Sequence, residues 1–474
     1  MPNSHQLSRS LGLKLVIVVV ISNIIGSGVY KKVAPMAFEL QSAPWILLCW
    51  LLAGIITLFG ALSNAEVAGL LASTGGEYAY YKKIYNRFFS FMFGWSSFTV
   101  IQTAAISSLA YVFAQSLHSV VDIPPLLADW SDVRIGGVFF PFADFSVKLT
   151  AILLILLLTW LNTKGIEAGA EMSTVILLLV GGGILVVILF GLGKGYQNLG
   201  SLLQFSTENG KEISGSLVFT SMMSAFWAYQ GWAAIGYVGG EIKDAHKNIP
   251  RGITVGVISV IAIYLMVNAA YLLLLPVSEL QQIHQSDNKI AAIEAIRSVW
   301  GAYGALFMSV LILLTTLGCT HATILASCRP YYAMANEGMF FPKVGRLNQA
   351  QVPANSLLYQ GMWASLLVLS GTFDQLTDMI IFAVFIFYGA TTLGVFILRK
   401  KMPDAYRPYK VWGYPLVPAI MVLFCIVFFF NTIISRPREA AIGVSLILSG
   451  VPMYFWFRKR KDNRDTKKSK KCSV

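Results

Sequence analysis

The chain has 474 residues, of which 56% are apolar and only 12% charged, and its formal net charge is +13. Soluble domains carry about 25% charged residues, so a chain of this length cannot cover its surface with polar groups. Abundant aromatics exclude intrinsic disorder, and five cysteines exclude a disulfide scaffold. In a soluble protein the basic excess would suggest a nucleic-acid partner, so the position of the charges decides its meaning.

Stretches of at least 15 residues free of Asp, Glu, Lys and Arg cover 15–30, 40–65, 88–121, 149–163, 172–193, 213–240, 252–278, 298–328, 347–373, 379–398, 411–435 and 440–457. A helix crossing a hydrocarbon core of about 30 Å needs about 20 apolar residues. The short runs 15–30 and 149–163 still qualify, because Lys14 and Lys148 can snorkel to the interface. The runs show no period-2 alternation, which argues against a β-barrel. The pattern predicts an all-α polytopic membrane protein with twelve transmembrane helices.

The first run follows mostly polar residues and contains Gly-Ser-Gly, not an A-x-A site, so it is not a cleavable signal. Cys49, Cys319, Cys328, Cys425 and Cys472 lie in spans or in the tail, and no two share a loop. Neither a metal cluster nor a disulfide framework is indicated, and two residues after Cys472 are too few for a prenylation box. An even number of spans puts both termini on one side. That side collects 26 Lys and Arg residues against 10 on the other, so the positive-inside rule predicts cytoplasmic termini. The net charge then reports orientation, and no nucleic-acid partner is expected.

Two spans carry interruptions. The first reads Ile24-Ile25-Gly26-Ser27-Gly28-Val29-Tyr30, where two glycines favour unwinding, although a small-residue packing notch would look the same. The second, in the sixth run, reads Phe226-Trp227-Ala228-Tyr229-Gln230-Gly231-Trp232-Ala233-Ala234-Ile235-Gly236. The two lie five spans apart and so cross in opposite directions, the pattern of an inverted-repeat transporter site. Unwound backbone in lipid must line a cavity or bind something. Half-helix N-termini favour a carboxylate, and freed carbonyls favour an ammonium group. A zwitterionic amino acid suits both without any charged side chain.

Further strings follow in order: Ala65-Glu66-Val67, Thr74-Gly75-Gly76-Glu77-Tyr78-Ala79-Tyr80, Glu241-Ile242-Lys243, Lys247-Asn248-Ile249-Pro250-Arg251, and Arg329 with Tyr332-Ala333-Met334-Ala335-Asn336-Glu337-Gly338. The last is Leu398-Arg399-Lys400 with Tyr406-Arg407-Pro408-Tyr409-Lys410. With the two interrupted segments, these strings resemble the amino acid–polyamine–organocation superfamily, closest to its L-type amino acid transporter branch. The resemblance implies one transmembrane transporter domain over 1–457, with inverted five-helix repeats at 11–195 and 213–400 and extra helices at 411–457. A basic cytoplasmic tail occupies 458–474. It implies broken first and sixth helices around a substrate site formed by Ile24, Ile25, Gly26, Ser27, Gly28, Trp227, Ala228, Tyr229, Gln230, Gly231 and Trp232. Amides around Ser27 and Gly28 would hold the substrate carboxylate. Carbonyls of Ile24, Trp227 and Gln230 would take its ammonium group, with Trp227 as the gate. Gln230 departs from the small residue usual in the branch.

Glu66 is the acid placed within a span, and it reads either as a structural or gating pair or as a proton carrier. His321 reads either as a partner for a neighbouring carbonyl or as a pocket-lining, proton-titrating group. Residues 173–181 lack the lysine that takes the place of sodium in several relatives, which leaves sodium, proton or no coupling open. Thr315, Thr316 and Thr320 read first as hydroxyls bonding the preceding turn. Residues 121–148 contain no cysteine, so no disulfide-linked heavy chain is expected. No phosphate-binding loop, zinc-protease motif or nucleophile elbow is present, so neither ATP-driven pumping nor an enzyme is indicated, and no cofactor or metal is expected. The expected function is secondary transport of neutral amino acids across the plasma membrane by alternating access, as exchange or facilitation. The alternatives are a proton- or sodium-coupled amino acid or polyamine importer and, more remotely, a non-transporting amino acid sensor. The partners expected are the substrate and the lipid bilayer.

Overall fold

The computed structural model describes residues 11–71, 75–121, 123–135, 139–164, 167–205, 212–237, 239, 242–286, 289–350 and 352–472, with side chains described except at 167–175, 177 and 462–472. Among these residues the chain is helical, apart from loops and two isolated bridges, Leu11 with Ile242 and Ile135 with Phe139.

In chain order the helices are α1 (Leu13–Ile24), α2 (Gly28–Lys31), α3 (Val33–Leu40), α4 (Ala43–Leu70), α5 (Glu77–Ile84), α6 (Arg87–Ser96), α7 (Gln102–His118), α8 (Phe145–Asn162) and α9 (Glu167–Gly195). There follow α10 (Gly215–Tyr229), α11 (Ala245–Leu274), α12 (Val277–Gln285), α13 (Ala291–Asn336), α14 (Ala354–Val368), α15 (Phe373–Lys401), α16 (Leu416–Ser435), α17 (Pro437–Leu448) and α18 (Gly450–Cys472). Local chemistry marks several starts. Asn86 accepts from the Phe89 amide, Ser214 accepts from Leu217, and Thr372 with Gln375 forms a reciprocal capping box.

Nine helical segments among the described residues are long and apolar enough to cross a membrane. The twelve predicted runs are not twelve full-length helices. Run 15–30 stops after the 12 residues of α1, and run 213–240 stops after the 15 residues of α10, both at their glycine breaks. Run 347–373 yields the 15-residue α14, which begins after Pro353 and ends before Gly371 and the Thr372 cap. The 28 residues of α4 span roughly 42 Å at 1.5 Å per residue, ample for a bilayer core. Leu153, Leu157, Leu178 and Leu189 are exposed on the outer surface, which costs nothing where the surroundings are lipid.

Two opposite faces matter for the site. On the first, Lys243 N donates to Leu11 O, His246 Nδ1 bonds Gly69 O, and Lys82 pairs with Glu337 at 2.7 Å. The described start of the chain and α18 share this face, because Lys461 lies against Gly338; it is called the termini face below. On the opposite face lie Lys32 with Asp374 and Arg436 with Glu39. Helices α6 and α7 are joined by a π-turn at Ser97–Ile101, a local widening that turns Ile101 and Gln102 inward.

Candidate functional site

The two interrupted segments meet near the centre of the molecule. α1 ends at Ile24, Ile25 is extended, and Ser27 starts α2, which continues through the helical backbone of Lys32 into α3. Opposite, α10 ends at Tyr229, Gln230 is extended, and Gly231 has φ +118 before a short 3-10 turn at Trp232–Tyr237. The approach is backbone to backbone. A Cβ on Gly28 would lie 2.5 Å from Ala228 Cα, and one on Gly231 would overlap the Asn23 carbonyl. Gly231 is therefore required twice over, by its left-handed φ and by this contact.

Between the segments lies a cavity. Ile24, Gly26, Ser27 and Gly28 form one wall, and Trp227, Gln230 and Gly231 another. Among the described residues, the amides of Ser27, Gly28 and Val29 have no backbone acceptor, as expected for a helix start. The single Tyr264 O–H lies 2.9 Å from Ile24 O and 3.0 Å from Ala228 O and shares its proton between them, stapling the two breaks together. Trp227 O already accepts from Gln230 N at 3.2 Å. Each carbonyl keeps a second lone pair, so Ile24 and Trp227 retain capacity for one more donor. Trp227 Nε1 reaches Ser27 Oγ at 3.3 Å across the cavity.

The site is closed toward the face opposite the termini. Phe373 packs edge-on against Trp227, and Lys31 Nζ stands 4.6 Å above the Phe373 ring while donating to Gln115 at 2.7 Å. Lys32, 1% exposed, donates to Asp374 at 2.6 Å and to Thr377 at 2.8 Å, and Tyr30 bonds Thr315 at 3.0 Å. Toward the termini face the cavity continues past Gln102, Tyr237, Phe387 and Tyr388 to Glu77.

The other residues proposed from sequence are placed elsewhere. Ile25 faces a smaller cavity with Ile176, Val180 and Thr315. Ala228 is the contact for Gly28; Tyr229 turns outward, its OH donating to Trp50 O at 3.2 Å; Trp232 lies against Tyr388. His321 is buried on α13 but outside the cavity wall. The wall takes Cys319, Thr323, Ala326 and Ser327, which share one helical face, and residue 321 is about 200° from Cys319 at 100° per residue. Glu66 lies away from the cavity in a buried ion pair: Arg399 donates at 2.9 and 2.7 Å, the Val411 amide donates at 2.7 Å, and Arg407 stands at 3.4 Å. Thr315, Thr316 and Thr320 each bond the carbonyl four residues back, as the simpler reading expected. Of residues 173–181, the side chains of 173–175 and 177 lie outside the described set, and Thr74 and Glu241 are likewise outside the described residues.

Sequence reasoning passed over Gln102, Tyr237, Cys319, Thr323 and Glu77. A lone amide in a long apolar run was a signal for Gln102. Glu77 stands in one of the quoted strings, but nothing there marked it as a wall residue, because it lies outside every predicted span and only the fold of α5 brings it inward. Burial pushes its carboxyl up to about 7, with a smaller opposing effect from hydrogen bonds that include Tyr237. Among the described residues no group of His, Cys, Asp and Glu is disposed to hold a metal ion.

Comparison with known proteins places these features. A family profile described as amino acid permease matches residues 11–457. The serine/threonine exchanger of Bacillus subtilis is 28% identical over 458 residues, covering 96% of this chain and 98% of its own. The human b(0,+)-type amino acid transporter 1 is 25% identical over 471 residues, covering 96% and 89%. The human large neutral amino acids transporter small subunit 2 is 28% identical over 456 residues, covering 95% and 80%.

Proposed function

Because the chain belongs to the amino acid permease family, on its L-type side, and is therefore an integral membrane transporter and not an enzyme, we propose that it exchanges or facilitates the passage of neutral amino acids by alternating access. The observation that carries this reading is the cavity between two broken helices whose facing walls bear no charged side chain. The free amides at Ser27, Gly28 and Val29 suit a carboxylate, and the carbonyls of Ile24, Trp227 and Gln230 suit an ammonium group. The names of two of the three relatives, a serine/threonine exchanger and a large neutral amino acids transporter, agree with an uncharged substrate.

The packing supports an inverted repeat over 11–195 and 213–400, with α1 to α3 and α10 with its 3-10 turn as the broken first and sixth crossings. α1 packs on α11 as α10 packs on α4; α7 packs on α15 as α13 packs on α9; α11 packs on α9 as α15 packs on α4. Each pair maps onto the other when a crossing is exchanged for the one five further on. On this reading 1–457 is one transporter domain with twelve crossings, two of them the extra helices of 411–457. The basic tail 458–474 follows, both termini are cytoplasmic, and the membrane is the plasma membrane. The termini face is then the inner face, and the site is closed outward. No disulfide-linked heavy chain is needed, because 121–148 offers no cysteine.

Counterflow of labelled amino acid in proteoliposomes, competed by each of the twenty amino acids and by common amines, tests the proposal. Small and medium neutral amino acids should compete, and amines without a carboxylate should not. Ser27→Tyr should abolish binding by filling the carboxylate pocket; unchanged binding in that variant sinks the site assignment.

A further inference from the structure

Two acids, Glu66 and Glu77, are equally buried, each 3% exposed, and they are treated very differently. Glu66 is met by two guanidinium groups and a backbone amide. Glu39 has Arg436, Asp374 has Lys32, and Glu337 has Lys82. Among the described residues no cation pairs with Glu77. The groups facing it among the described residues are hydroxyls: Tyr237 from the turn after α10, Tyr388 from α15, and Tyr80 and Tyr81 from its own helix, with the Gln102 amide bonded to Tyr237 OH at 3.2 Å. Its Oε2 has no hydrogen-bond partner among the described residues. An ionised carboxylate in such a place carries a large desolvation cost, which a proton removes.

The enclosure also selects the ligand. Oε2 is shut off from the cavity space even though the residue lines the wall, so an ammonium head in the cavity cannot approach that oxygen to about 2.8 Å. We propose that Glu77 is a proton-binding site of the transport cycle. When the termini face opens, water reaches Oε2 and the carboxylate exchanges its proton with the bulk. When the face closes over Glu77, the proton is held, and the O–H bond keeps the buried group neutral. Acidification through neutrality therefore favours the enclosed form, and alkalinisation opposes it. This rests on the transport reading for its meaning, but not for its measurement.

Two measurements separate the questions. The first is the infrared carboxylic-acid band of detergent-purified protein, titrated roughly two pH units either side of 7. It should lose amplitude with a midpoint near 7 in the natural protein, and that component should be missing from Glu77→Gln. The second is counterflow with equal pH on both sides of the membrane. The natural protein should show a transition near 7 and Glu77→Gln a flat profile. A titrating band without any amino acid counterflow would uphold the proton site and reject the transport reading. No titrating band near 7, or the same transition in Glu77→Gln, would overturn the proton site and leave transport standing. Competition by lysine or diamines that disappears in Glu77→Gln would also overturn it, by making the acid a substrate contact. Should Glu77→Gln fail to fold, Tyr237→Phe decides. Losing that hydroxyl should raise the midpoint by a few tenths to about one pH unit, and an unmoved midpoint refutes the assignment.

Discussion

Substituting Gly28 by Ala tests whether the site depends on contact between the two broken backbones. The added Cβ would lie 2.5 Å from Ala228 Cα, 2.6 Å from its Cβ and 3.0 Å from its N. Non-bonded carbons rest at about 3.5–4.0 Å, so the segments must part by roughly 1 Å or more. No flexible side chain stands in the way to absorb this, and the Tyr264 staple across both breaks resists it. Overpacking of this kind costs about 1–3 kcal/mol, and a misplacement of about 1 Å in a positioned site can cost on the order of 100-fold. Counterflow by Gly28→Ala should fall at least about tenfold, with a lower thermal transition in detergent. Gly26→Ala is the control. Its Cβ would meet the ends of two side chains, Leu109 Cδ2 at 3.3 Å and Cys319 Sγ at 3.4 Å, which can yield. It should stay within about threefold of the natural protein. If Gly28→Ala transports normally, or Gly26→Ala is the worse of the two, the close crossing is not what holds the site.

Glu66→Gln should destabilise the detergent-solubilised protein by about 3–5 kcal/mol, because Arg407 and Arg399 lose the charge they face; an unchanged thermal transition would make the pair idle. Asp374→Asn should loosen the closure opposite the termini by leaving buried Lys32 without its counter-charge. Labelling of Cys319 by a membrane-impermeant thiol reagent added from that face, followed by peptide mass spectrometry, should then speed up; equal rates would show that the ion pair does not hold the closure. Gln230→Ala should raise uptake of large relative to small neutral amino acids severalfold, since it removes bulk from the cavity wall; an unchanged ratio in the competition panel would exclude Gln230 from selectivity.

What was legible in the sequence follows from the range of the forces involved. The breaks at Gly26–Gly28 and Gln230–Gly231 were visible because backbone entropy and φ preference act within a few residues, and both are where the chain leaves the helix. The long apolar runs were visible because lipid imposes length and composition directly. The shortness of α14 was hidden, since a charge-free run cannot report that Pro353 and the Thr372 cap divide it. The wall itself was the hardest part. Ile25, Tyr229 and Trp232 sit inside the interrupted strings, yet turn from the main cavity because an unwound segment distributes its side chains over several directions. His321 is excluded by helical phase alone, two positions from Cys319, which any helical wheel anchored on a known wall residue would have revealed. Glu77 had no such anchor. A helix of eight residues outside the spans carries it inward, and burial of a loop acid against Tyr237 and Tyr388 is a property of tertiary packing. The cavity between the two broken segments is bounded toward the termini face by α5, so an acid there can line its end without belonging to either segment.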